Sequence, residues 1–140
     1  FMTTRSSGFT LIELLVVVAI LGIISAIGIV SYNGYVGASK KKSAENIMMQ
    51  ISLAQSEYYS DNDNYFFTRT CSITGKSDPS NEIEKELLGG ADVIVEKVGY
   101  EFCVEAFSDG YKIKTEEQDT SKPCIMTYTH KSVLDKNTNC

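Results

Sequence analysis

The chain has 140 residues, 13 basic and 18 acidic side chains and a net charge of -5. That length suits one domain plus whatever lies outside its core, and the acidic balance argues against binding nucleic acid through a basic surface. No phosphate-loop, dinucleotide, zinc-protease or hydrolase motif occurs, so the chain reads as a non-enzyme with no cofactor and no metal. Its one histidine, His130, reads as a surface residue.

In chain order, a short polar stretch carrying Arg5 comes first, and an apolar run follows from Phe9 to Val30. That run holds 22 residues, of which Thr10, Glu13 and Ser25 are polar. At helical rise it spans about 33 Å, enough to cross a bilayer core. A carboxylate in the middle of a membrane helix costs roughly 2.5 to 3.5 kcal/mol, so Glu13 needs a partner or a role. A secretory signal is cut after its apolar core at small residues. Ile29-Val-Ser-Tyr-Asn-Gly34 matches that pattern poorly, and an uncut anchor leaves Glu13 unexplained. Beyond the run, Lys40, Lys41 and Lys42 fit either a lipid headgroup layer or a solvated helix face.

No proline occurs before Pro79, which predicts one helix from Phe9 to about Tyr59, on the order of 75 Å long. Its second half is one-sided. Ala44, Ile47, Met48, Ile51, Ala54 and Tyr58 recur at three- and four-residue spacing, an amphipathic stripe. Lys41, Glu45, Gln55 and Glu57 are assigned to the wet face. The apolar first half finds no cover within its own chain and must lie in lipid or against copies of itself. Gly22, Gly28, Gly34 and Gly37 each weaken the helix by about 1 kcal/mol relative to alanine.

After the helix, Tyr58 to Tyr65 is rich in Asn and Asp, which favour turns. Asp61-x-Asp63 lacks the glycine and terminal glutamate of a calcium loop. Ser80 to Gly90 predicts a short helix, with Asn81 and Glu84 as a capping box and Gly89 as its stop. A strand is expected over Asp92 to Val98. Tyr100, Phe102, Val104 and Ala106 alternate with polar residues, Ser108-Asp-Gly110 turns the chain and Tyr111 to Thr115 returns, an antiparallel hairpin. Ile125 to Thr129 predicts a further strand. The four cysteines, Cys71, Cys103, Cys124 and Cys140, lack zinc-ligand spacing and read as two disulfides in an oxidising compartment. They allow three pairings. Cys71–Cys103 with Cys124–Cys140 is preferred because each closes a loop of moderate length.

Gly8-Phe-Thr-Leu-Ile-Glu13, followed in register by Leu-Leu-Val-Val-Val-Ala-Ile-Leu-Gly22-Ile-Ile, resembles the class III signal and N-terminal helix of type IV pilins and related pseudopilins. The resemblance implies that prepilin peptidase cuts between Gly8 and Phe9 and N-methylates Phe9. It implies that Glu13 attracts the Phe9 amine of a neighbouring subunit during assembly, and that the helix melts between Gly22 and Gly28 in the filament. The implied layout is a leader over 1–8, a transmembrane and filament-core helix half over 9–37, an amphipathic half over 38–60, and a head over 61–140. The fold class is α+β, with a long N-terminal helix laid on a small antiparallel sheet. The final loop, Cys124 to Cys140, resembles the disulfide-closed C-terminal region of pilins from Gram-negative bacteria, and Lys131, Asp135, Lys136 and Asn137 make it polar and exposed.

The resulting reading is a major pilus subunit. It crosses the inner membrane once before assembly and then polymerises with copies of itself into a surface filament for adhesion, twitching motility or DNA uptake. Its other partners are the peptidase and the assembly machinery. A minor pilin or a type II secretion pseudopilin is the alternative within the family. An anchored periplasmic sensor or binding module is the alternative outside it.

Overall fold

The computed structural model describes residues 7–71, 79–94 and 98–140. The order is α1 (Leu11–Asn62), α2 (Pro79–Glu86), β1 (Tyr100–Phe107), β2 (Gly110–Glu117), β3 (Ile125–Thr129) and β4 (Leu134–Lys136). This is an α+β arrangement. The chain divides into two compact units, Phe1–Ser39 and Lys40–Cys140.

In the first unit, the large apolar side chains of the run from Phe9 to Val30 are 49% to 89% exposed. The helix continues without interruption through Gly22 and Gly28. A hydrogen-bonded helical backbone with apolar side chains on every face leaves no polar main-chain group for lipid to meet, the condition for spanning a bilayer.

In the second unit, α1 presents Ala44, Ile47, Met48, Ile51 and Gln55 to the core. The helix stops where Asp63 turns into the left-handed region (φ 54) while its N–H still reaches the Tyr59 carbonyl at 2.8 Å. The sheet runs β1-β2-β3-β4, antiparallel throughout. Phe102, Thr115 and Met126 stand opposite one another across three strands and are fully buried. Thr115 satisfies its hydroxyl by donating to the Glu101 carbonyl at 2.9 Å, which removes the penalty of burying it. The β1 edge is covered from within the head. Phe102 N–H donates to Ser80 Oγ at 3.0 Å, and Val104 N–H donates to Thr68 Oγ1 at 3.2 Å. An edge occupied in this way is a poor template for another strand.

Several expectations change. Gln55 and Glu45 are buried rather than wet, and Lys41 is half-buried; only Glu57 of that group is exposed. Gln55, Glu45 and Lys41 each have a partner. Gln55 binds the main chain of Phe66, Glu45 binds Lys42 and Lys136, and Lys41 donates to the main-chain oxygen of Cys140. Residues 92–94 form no strand, and 95–97 lie outside the described residues. Val93 N–H turns back to the Ala91 carbonyl, and Ile94 N–H goes to Glu84 Oε1 at 2.6 Å. These groups are therefore engaged before a ladder can form, and Glu84 serves that turn rather than a capping box. Helix α2 begins at Pro79, so Asn81 is inside it. Gly89 and Gly90 end it at φ 66 and 78, a conformation glycine adopts without strain. Ala106 is exposed, at the turn end of β1. His130 is half-buried, with its Nδ1 fully enclosed and unpartnered among the described residues.

Candidate assembly site

The N-terminal site is built by the first turn of α1. Thr10 precedes Leu11, the first helical residue, and Glu13 lies three positions on. Thr10 N–H and Thr10 Oγ1–H both donate to Glu13 Oε2, at 2.9 and 2.8 Å, and Glu13 N–H donates to Thr10 Oγ1 at 3.3 Å. This is a reciprocal capping box, and the positive end of the helix dipole favours the carboxylate there. Glu13 thus has a partner inside its own chain. The spacing Thr10-x-x-Glu13 is itself a capping signature; it was hidden because the apolar run invited a membrane reading of Glu13 alone.

The capping bonds fall on one carboxylate oxygen. Oε1 takes no donor among the described residues, so a cation approaching it does not disrupt the cap. Gly8 and Phe9 lie just outside the helix in irregular, exposed chain, and Phe9 is 89% exposed. A peptide bond in irregular, accessible chain next to a helix start is open to a peptidase. Further along, Gly22 and Gly28 are helical with open space where a Cβ would stand. Ser25 turns its hydroxyl inward onto the Leu21 carbonyl at 2.6 Å, which hides it from lipid. Small residues of this kind let helices approach closely.

The two disulfides join Cys71 to Cys103 and Cys124 to Cys140. The second closes a loop that Asn137 organises. Asn137 Oδ1 accepts the Ile125 N–H at 3.1 Å, and Nδ2 donates to the Pro123 carbonyl at 3.0 Å. The loop is tied to α1 through Lys136 and Glu45. The Lys136 hydrogen bond holds the Glu45 carboxyl below its ordinary range, against the opposing effect of burial and with help from Lys42. Asp61 and Asp63 are exposed at the end of α1, and no cluster of three or more potential metal ligands occurs among the described residues.

Residues 3–29 match the prokaryotic N-terminal methylation motif. The chain is 50% identical over 54 residues to fimbrial protein EcpC of Eikenella corrodens, covering 39% of this chain and 35% of that protein. It is 41% identical over 61 residues to type IV major pilin protein PilA of Myxococcus xanthus strain DK1622, covering 44% of this chain and 28% of that one. The chain therefore spans about a third of the length of these curated relatives. No solved structure matches it. Over its N-terminal part the chain is thus similar to a fimbrial protein and a type IV major pilin, and its long helix with a small antiparallel sheet is a pilin-like arrangement.

Proposed function

We propose that the chain is the major subunit of a type IV pilus, held in the inner membrane by α1 and then assembled into a surface filament. The observation that carries this reading is a run of large apolar side chains that stay at least 49% exposed, inside the stretch that matches a methylation motif. At about 25 cal/mol per Å² of apolar surface removed from water, such a run is stable in lipid or against identical runs.

In this reading prepilin peptidase hydrolyses the Gly8–Phe9 bond, and methylation keeps the new Phe9 amine cationic. The cation of one copy meets Glu13 of the next at the oxygen the cap leaves open. Two opposite charges together are far cheaper to hold among apolar helices than either alone. The helix opens between Gly22 and Gly28 once it is packed in the filament, and the head is displayed outward. The protein acts as a building block, without catalysis of its own. Adhesion, twitching motility or DNA uptake are properties of the whole filament.

Mass spectrometry of the native amino terminus tests processing: N-methylated Phe9 is expected, and a native chain retaining residues 2–8 would overturn the reading. Electron microscopy of sheared filaments tests the rest, with this chain expected as the main band. A trace component in filaments made of another subunit would instead identify a minor pilin or a pseudopilin.

A further inference from the structure

The three lysines that open the second unit are joined by a fourth from the far end of the sequence. Lys136, on β4, and Lys42 share the carboxylate of Glu45, whose side chain is 6% exposed. Lys42 remains 77% exposed and Lys136 38%. Lys41 donates to the main-chain oxygen of Cys140. Lys40 is exposed and makes no hydrogen bond or ion pair among the described residues. Two lysines thus share one buried acid, and two more stand beside Lys42 in sequence, in a chain whose net charge is -5.

We propose that Lys40, Lys42 and Lys136 form a basic collar that holds the head against anionic phospholipid headgroups while the chain waits in the membrane. The arrangement favours a lipid layer over a protein partner. Consecutive helical residues turn by about 100° each, so Lys40 to Lys42 fan through roughly 200° of the helix circumference. A docked protein covers one side of a helix, whereas a headgroup layer surrounds it. Each lysine near an anionic surface shifts the balance by about fivefold, a modest effect for a free protein. A head already tethered by its own membrane helix spends no translational freedom on the contact, so two or three such lysines suffice to orient it.

This inference rests on the membrane stage of the proposed function. The test uses the unassembled full chain, so its failure leaves the filament reading standing. The chain is reconstituted in nanodiscs of phosphatidylcholine alone or with phosphatidylglycerol, and reductive methylation of each lysine is timed by mass spectrometry. Lys40, Lys42 and Lys136 should react about tenfold more slowly in the anionic discs, the effect should disappear at high salt, and the exposed Lys122 and Lys131 should not change. Equal rates in the two lipids, or equal slowing at Lys131, would overturn the collar. Lys40→Gln removes a side chain with no described partner and leaves the fold intact; combined with Lys42→Gln it should release Lys136. Persistent protection of Lys136 in that double variant would also overturn the collar.

Discussion

The side-chain amide of Gln55 forms a two-bond ring with the main chain of Phe66. Nε2 donates to the Phe66 carbonyl at 2.7 Å, and the Phe66 N–H donates to Oε1 at 2.9 Å. Gln55 is fully buried in the stripe that α1 turns to the core. It imitates a strand partner for the segment that leaves the helix and folds that segment back along it. Gln55→Ala leaves two main-chain groups unpaired at a cost of about 1–3 kcal/mol each, so a loss of about 2–4 kcal/mol is expected. Thermal unfolding of the full chain in detergent, followed by tyrosine circular dichroism, measures it. A midpoint no lower than that of the exposed control Glu57→Gln would contradict the assigned role.

What was legible beforehand follows from the range of each interaction. The long helix, the β1–β2 hairpin and β3 are written in local periodicity, with Ile47, Met48 and Ile51 at helical spacing and Tyr100, Phe102 and Val104 at strand spacing. Gln55 and Glu45 were misplaced on the wet face because polarity is local information and satisfaction is not. Glu45 is neutralised by Lys136, 91 residues away in sequence. The tract at 92–94 looked like a strand because Val93 and Ile94 favour one, but Glu84 intercepts the Ile94 N–H. Of the assembly site, the spacing of Gly8, Phe9 and Glu13 was plain, whereas the part played by Thr10 emerged only with hydrogen-bond geometry.

Glu45 also sets a dependence on acid. Its carboxyl is held below the ordinary value of 4.5, first by the Lys136 hydrogen bond. A group whose folded pKa is depressed contributes stability that is complete above its ordinary value and is lost as pH falls through the folded value. The tie between β4 and α1 is therefore constant from about neutral pH down to about 5 and weakens below 4.5. Hydrogen exchange at Leu134–Lys136 should show the loosening. In Glu45→Gln the same segment should exchange faster at neutral pH and respond less to acid. An unchanged acid response in that variant would assign the effect elsewhere.

Gly110 is fixed by a contact rather than by its backbone angles. A Cβ placed there would stand 2.2 Å from His130 Cγ, and His130 is held in register by its N–H bond to the Tyr111 carbonyl at 3.0 Å. Gly110→Ala must displace the imidazole, an overpacking cost of about 1–3 kcal/mol. His130→Ala opens the space and removes a buried nitrogen that has no partner among the described residues. The double variant should recover most of the loss, with a coupling energy of at least about 0.5 kcal/mol in a thermal or denaturant cycle. Additive effects would mean the two residues do not meet in solution.

The cap at Thr10 makes the proposed assembly role of Glu13 separable from a purely local one. If capping were the whole of its function, Glu13→Gln would impair assembly no more than Thr10→Val, since a glutamine oxygen can still accept from Thr10 whereas valine removes the hydroxyl that both gives and takes a capping bond. If Glu13 also receives the Phe9 amine of a neighbour, the two variants part company. Thr10→Val should cost about 1 kcal/mol at the helix start, visible as faster amide exchange in the first turn, while filaments still form. Glu13→Gln retains shape and some capping ability but offers no charge to the amine, and surface filament yield should fall by tenfold or more, a deficit of at least about 1.4 kcal/mol per contact. Glu13→Asp keeps the charge on a shorter arm and should fall between the two. Equal yields from Thr10→Val and Glu13→Gln, with both chains correctly cut at Gly8, would reduce Glu13 to a cap and leave assembly to apolar packing alone.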